Sequence, residues 1–231
     1  MKFVSILGDS ISTYEDFNPC RYAVYYDHGN SMINGLSSVY DTWWMKVSQS
    51  MHTSICVNNS FSGSCVSGKN FPAGESKERI LNLRTNKFEP DYILVYIGFN
   101  DFAKGVPIRN DGLIRRFRHG SDTFEDAYKN MLNAIKTNYP NTIVMCGTLM
   151  RTVMKRDTEW VFPEQISGIS YEDYNDAIRT ACKKNNCYIV DLSAYDTRYE
   201  TLDGVHPTAQ GHDTIAWEWI RCLDGLGFLN N

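Results

Sequence analysis

The stretch YILVYIGFND, residues 92–101, decides the fold. An unbroken apolar run from Tyr92 to Ile97 stops at Gly98 and gives way to Asn100 and Asp101. A strand with one wet face alternates apolar and polar residues. A parallel strand covered by helices on both faces is apolar throughout. Residues 92–97 therefore read as an interior strand of a parallel sheet. Further strands are expected at 2–7, 54–58, 142–148 and 188–192. Between them lie helical signals. Asp41 is a candidate cap for a helix over 42–51, and Ile80, Leu81 and Leu83 sit among charges in 74–84. Asp122-Thr123-Phe124-Glu125 resembles a capping box and leads into a stripe of Ala127, Met131, Leu132 and Ile135, closed by Pro140. Ser170-Tyr171-Glu172-Asp173 starts another helix. Pro207-Thr208 opens the last, with Ile215, Trp219, Ile220 and Leu223 facing inward. Strands alternating with helices predict an α/β domain with right-handed crossovers. With 231 residues and no repeats or linkers, the whole chain, 1–231, is expected to be a single domain.

Composition narrows the function. Hydrophobic residues make up 42% and charged residues 22%, enough for a substantial core. The net charge of −4 argues against nucleic acid as a partner. The seven cysteines form an odd set without a C-x-x-C pair, a poor disulfide framework and a poor zinc site. No apolar run reaches membrane-spanning length, and Met1-Lys2 leads directly into a strand rather than a signal-peptide core. A cytoplasmic protein with no membrane partner is the expectation, although Asn58-Asn59-Ser60 fits the glycosylation triplet. A second copy of the chain remains open as a partner.

Ligands of parallel sheets bind beyond the carboxyl ends of the strands. Gly8-Asp9-Ser10 follows the first strand there. A serine hydroxyl needs a base to become a nucleophile, and imidazole suits the task. His206 in Asp203-Gly204-Val205-His206-Pro207 is the candidate, with Asp203 in reach of its other ring nitrogen. Pro207 keeps His206 out of helical geometry; capping of the last helix is the alternative role for that histidine. An oxyanion needs donors. The N–H of Ser10, the N–H of Gly63 and the side-chain amide of Asn100 all fall at strand exits. A plain loop glycine and a turn asparagine are the competing readings. Asp9, Glu15 and Asp16 lack the partners to complete a metal sphere, and Asp9 is expected to brace its loop. His28, His52, His119 and His212 have no partner in the sequence and are assigned to surface or packing.

On these blocks the chain resembles the SGNH or GDSL hydrolases, a family of serine esterases and acylhydrolases. Gly8-Asp9-Ser10 with Ile11 matches the first block, isoleucine standing where the family name has leucine. Gly63 matches the second, Gly98-Phe99-Asn100-Asp101 the third, and Asp203 to Pro207 the last. The resemblance implies a three-layer α/β/α flavodoxin-like fold around a central parallel five-stranded sheet. It also implies a Ser10–His206–Asp203 triad, an oxyanion hole from Ser10, Gly63 and Asn100, and no metal or organic cofactor. The missing Gly-x-Ser-x-Gly agrees with the family's open nucleophile site.

Three long segments frame the expected substrate. Residues 11–41 carry Tyr14, Phe17, Tyr22, Tyr25, Tyr26 and Tyr40, either a sugar or acyl platform or a satellite core. Residues 102–121, with Lys104, Arg109, Arg115, Arg116, Arg118 and His119, and residues 149–169, with Arg151, Lys155, Arg156 and Trp160, are basic. They bind an anionic substrate, form solvated loops or contact another subunit. Arg151, Trp160 and Tyr14 are the candidate substrate-binding residues. The expected function is hydrolysis of a short acyl ester, acetyl foremost, on a carbohydrate. A lipase or thioesterase for longer chains, and a non-catalytic binding module, are the alternatives.

Overall fold

The computed structural model describes residues 1–110 and 123–229. In chain order the strands are β1 (Lys2–Gly8), β2 (Thr53–Asn58), β3 (Tyr92–Tyr96), β4 (Ile143–Gly147), β5 (Arg151–Met154), β6 (Gln165–Ile166), β7 (Ile169–Ser170), β8 (Tyr188–Val190) and β9 (Arg198–Thr201). The helices are α1 (Ser31–Asn34), α2 (Trp43–Ser50), α3 (Lys77–Leu81), α4 (Phe99–Ala103), α5 (Phe124–Asn138), α6 (Tyr171–Asn185) and α7 (Ala209–Gly225). Five strands form one parallel sheet in the order β2-β1-β3-β4-β8. This is the expected α/β architecture, and its order is the flavodoxin-like one.

The apolar run that set the expectation is buried along its whole length in β3. On one side of the sheet α2 packs on α7, where Trp43 stacks on Trp219 at 5.1 Å and meets Tyr96 edge-on. On the other side α5 packs on α3 and α6. Burial of each such aromatic contributes about 2 kcal/mol or more. Among the described residues no helix is long and apolar enough to cross a membrane.

Local differences from the expected elements have local causes. Asp41 does not cap α2. It closes a capping box with Ser38 one turn earlier, and Thr42 precedes α2. The helix expected within 74–84 shortens to α3, after Ser76. Thr123 caps α5 by accepting from the Asp126 N–H. The capping box at Ser170 and Asp173 is as expected. Asp122, Arg115, Arg116, Arg118 and His119 lie outside the described residues. Two small sheets, parallel β5–β9 and antiparallel β6–β7, occupy segments expected to be loops.

Candidate active site

The chain leaves β1 for β2 on one side and returns to β3 on the other, so a crevice opens at the carboxyl ends of β1 and β3. Ser10 begins a short 3₁₀ turn, Ser10–Ser12, at that point. The turn folds back tightly on β1: a Cβ on Gly8 would lie 2.5 Å from the Ser12 Oγ. Glycine is therefore the residue that fits before the serine. Asp9 caps the turn by accepting from the Ile11 N–H at 3.1 Å, the bracing role expected for it. Burial pushes the Asp9 carboxyl up to about 6, against the pull of the Ile11 N–H and the nearby His206 and Arg79.

His206 arrives from the other end of the chain. Its Nε2 is 2.9 Å from the Ser10 Oγ, and its Nδ1 is 2.7 Å from Asp203 Oδ2. The second carboxylate oxygen accepts from the N–H groups of His206 at 2.8 Å and Val205 at 3.1 Å. Partial burial raises the Asp203 carboxyl, but these donors outweigh it and hold the group at about 2. Asp203 is thus ionised at neutral pH. Nδ1 then carries the proton and leaves a lone pair on Nε2 facing the serine. The two small-sheet strands fix the Asp-x-x-His turn. Thr152 of β5 donates its hydroxyl to the Gly204 carbonyl at 2.8 Å, and Gly204 N–H donates to Thr201 of β9 at 3.1 Å. The Leu202 N–H closes the turn onto the His206 carbonyl at 2.9 Å. His206 does not serve as a helix cap: Thr208 caps α7.

The oxyanion candidates are Ser10 itself, Gly63 in the loop after β2 and Asn100 in α4 after β3. Gly63 adopts φ +78, and a Cβ there would touch nothing within 4 Å. The backbone conformation, not a lack of space, calls for glycine at 63. No hydrogen bond from the N–H of Ser10 or Gly63, or from the Asn100 side chain, is found among the described residues. All three donors are therefore available to a ligand. Asn100 sits in α4, and its neighbour Asp101 is buried beneath it. Asp101 accepts from Val66 N–H at 2.7 Å, Ser67 N–H at 3.1 Å and Ser67 Oγ at 2.7 Å, tying α4 to the loop that carries Gly63. Burial pushes the Asp101 carboxyl up to about 6 in spite of those donors.

The substrate candidates separate. Trp160 packs on the Asp203–His206 turn: a Cβ on Gly204 would lie 2.8 Å from its Cζ2. Arg151 is engaged elsewhere. It donates to both oxygens of Glu164, lies 3.5 Å from Asp196 and covers the Tyr171 ring. Its charge is balanced, which removes the support for a substrate-anion role. Tyr14 is buried beside Phe17 and His28 and belongs to the hydrophobic core. Lys155 pairs with Glu200 and Arg109 with Glu125. His212 is buried in α7, where its Nδ1 accepts from the Trp43 N–H at 3.2 Å. Burial holds its imidazole down to about 3, so it packs as a neutral ring. His28 is exposed beside Asp16. Among the described residues, no cluster of His, Cys, Asp or Glu is arranged to hold a metal ion. A cavity of about 640 Å³ is lined by residues such as Gly105, Ile108, Ser167 and Asp173 and by none of the residues of this site.

Sequence reasoning missed three contributors. Arg79 is fully buried under the site and bonds the Gly8 carbonyl at 2.7 Å. Tyr25 lies flat on the His206 ring. The β5–β9 pair holds the turn of Asp203. Arg79 was hidden among surface-like charges, and Tyr25 was one tyrosine among several.

A hydroxyl, an imidazole and a carboxylate in hydrogen-bonded series can carry out acyl transfer. Comparison with known proteins agrees with that capability. No curated protein matches the chain in sequence. Solved structures do. A protein described as a GDSL-like lipase from Bacteroides ovatus ATCC 8483 is 24% identical, with 97% of this chain and 99% of that one covered and a TM-score of 0.72. One described likewise from Bacteroides uniformis ATCC 8492 is 26% identical, covering 97% and 96%, TM-score 0.70. A Corynascus thermopiles (Myceliophthora fergusii) carbohydrate esterase family 2 enzyme with a carbohydrate-binding domain shares the fold at 16% identity, covering 98% and 67%, TM-score 0.60. The family model for GDSL-like lipase/acylhydrolase matches residues 2–222, and the chain belongs to that family.

Proposed function

We propose that the protein is a serine esterase that removes a short acyl group, acetyl foremost, from a carbohydrate. The observation that carries this reading is the series Ser10 Oγ–His206 Nε2, 2.9 Å, and His206 Nδ1–Asp203 Oδ2, 2.7 Å, at the sheet's crevice. In the proposed mechanism His206 takes the Ser10 proton as Oγ attacks the ester carbonyl. Asp203 stabilises the imidazolium. The N–H groups of Ser10 and Gly63 and the Asn100 amide receive the oxyanion. His206 then protonates the leaving alkoxide, and water, deprotonated in turn by His206, releases the acid from the acyl-enzyme.

Ser10 is only 4% exposed, which favours a small acyl group at the reacting carbon. Trp160, which packs on Gly204 beside His206, offers an aromatic face on which a sugar ring can stack. The carbohydrate esterase fold relative supports the same alcohol class. All seven cysteines are free, which fits a reducing compartment, and we place the enzyme in the cytoplasm.

A nitrophenyl ester series from acetate to dodecanoate, together with a peracetylated monosaccharide, tests the reading. Acetate is expected to be cleaved fastest, octanoate at least about tenfold slower in kcat/KM, a difference of some 1.4 kcal/mol. Acetate is expected to be released from the sugar. A maximum at octanoate or beyond would establish the lipase or thioesterase alternative, and no hydrolysis at all would point to a binding module.

A further inference from the structure

We infer that Tyr25 is a positioning residue for His206: its ring forms a flat platform against the imidazole and holds the base in place while it takes the Ser10 proton. The inference rests on the serine-esterase reading of the site. The ring centroids of Tyr25 and His206 are 3.5 Å apart with an interplanar angle of 7°. Two neutral aromatic rings favour offset or edge-to-face contact over this face-to-face arrangement. The arrangement suits a pair in which one ring becomes a cation, because the negative face of a phenol attracts a positive charge above it. His206 becomes that cation when it takes the Ser10 proton. The platform therefore gains strength as the transition state is approached.

The platform is itself held to the nucleophile. The Tyr25 N–H donates to Thr13 Oγ1 at 2.8 Å, and that hydroxyl donates to the Ser10 carbonyl at 3.0 Å. Behind it stands Tyr26, buried and edge-on at 4.9 Å, with its hydroxyl on the Pro207 carbonyl at 2.8 Å. The Tyr25 hydroxyl lies within electrostatic range of Asp203. Burial first, and the Asp203 charge next, push its pKa up to about 12, so it stays a donor throughout the working range. One stretch of the long 11–41 segment thus joins the exit of β1 to the turn before α7.

The titratable and charged groups facing His206 are Asp203 on its own turn, Ser10 and Asp9 from the exit of β1, and Tyr25. Tyr26 and Tyr199 hold the carbonyls of Pro207 and Val205 on the same turn. Activity needs His206 neutral, so kcat/KM rises with pH through the imidazole midpoint. The phenol face favours the protonated ring. Exchanging an aromatic for an aliphatic side chain of similar bulk therefore moves the midpoint to lower pH. Losing only the hydroxyl keeps the aromatic face and therefore keeps the midpoint near that of the wild type.

The test compares wild type, Tyr25→Phe and Tyr25→Leu by NMR titration of the His206 ring, assigned with His206→Gln, and by the pH profile of nitrophenyl acetate hydrolysis. Wild type and Tyr25→Phe are expected to show upfield-shifted imidazole protons, and Tyr25→Leu is expected to lose that shift. The midpoint in Tyr25→Leu should lie about half a pH unit below that in Tyr25→Phe, with kcat about three- to tenfold lower and KM within about twofold. Identical His206 shifts and midpoints in Tyr25→Phe and Tyr25→Leu would overturn the proposal. If Tyr25→Leu does not fold, the wild-type spectrum decides, because unshifted imidazole protons exclude the stack. The NMR readout needs no turnover. A wild type that hydrolyses no ester while keeping the shifted ring therefore refutes the esterase reading and not this contact.

Discussion

Ser10→Ala lowers kcat for ester hydrolysis by about 10⁵–10⁶-fold while leaving the protein folded. The substitution deletes one atom, the Oγ, whose side-chain partner is His206 Nε2 at 2.9 Å. What remains are the donors at Ser10 N–H, Gly63 N–H and Asn100, which still bind the substrate carbonyl but have no covalent intermediate to stabilise. Groups that act as a unit are not additive, so Ser10→Ala/His206→Ala is expected to be no slower than Ser10→Ala alone. Initial rates with nitrophenyl acetate, beside circular dichroism of each variant, check both statements. A folded Ser10→Ala variant with more than about one hundredth of wild-type kcat would place the nucleophile elsewhere.

Arg79→Met destabilises the fold by about 3–5 kcal/mol, the largest stability effect expected of a single polar residue here. The guanidinium is fully buried and faces carbonyls, not a carboxylate. It donates to the Asn59 carbonyl from Nε and Nη2, to Gly8 from Nη2 at 2.7 Å, to Pro72 from Nη1 at 2.6 Å, and to Ser64 Oγ at 3.2 Å. Asn59 returns its side-chain amide to the Arg79 carbonyl at 2.6 Å. Burial lowers the guanidinium pKa to about 10, still well above neutrality, so the charge is kept. Methionine fills part of the volume but takes the Arg79 donors from the Asn59 and Pro72 carbonyls and leaves Gly8 with only the Phe61 N–H at 3.2 Å, in a dry setting. These carbonyls belong to the ends of β1 and β2 and to the loop beyond Gly63, so activity should fall with stability. Lysine lacks the planar fork and is not expected to rescue. Urea titration measures the change. A midpoint within experimental error of wild type would show that the arginine is dispensable.

Burial on both faces made the central sheet legible, because it writes β3 as an unbroken apolar run and β1 as an apolar run interrupted only at Ser5. The long helices were legible through stripe and cap, as at Ser170 with Asp173. The β5–β9 pair was not. Arg151–Met154 and Arg198–Thr201 are short and carry no alternation, and each becomes a strand only through pairing with a partner distant in sequence. The site shows the same division. Ser10, Asn100, Asp203 and His206 stand at strand exits in recognisable blocks, so chemistry and topology pointed to them together. Arg79 and Tyr25 have roles that exist only after folding, when a charge among charges turns inward and a tyrosine meets a histidine from the other terminus. Arg151 misled for the converse reason. A basic residue in a rim loop reads as a free cation until the fold brings Glu164 and Asp196 to it.

The central claim is that Ser10 is activated by His206 in the folded protein, and covalent trapping tests it most directly. Wild-type protein treated with a fluorophosphonate and digested for mass mapping is expected to carry one phosphonyl adduct, on the peptide containing Ser10. Labelling should be abolished in Ser10→Ala and slowed at least about a hundredfold in His206→Ala. An adduct on another serine, or equal labelling of wild type and His206→Ala, would contradict the account.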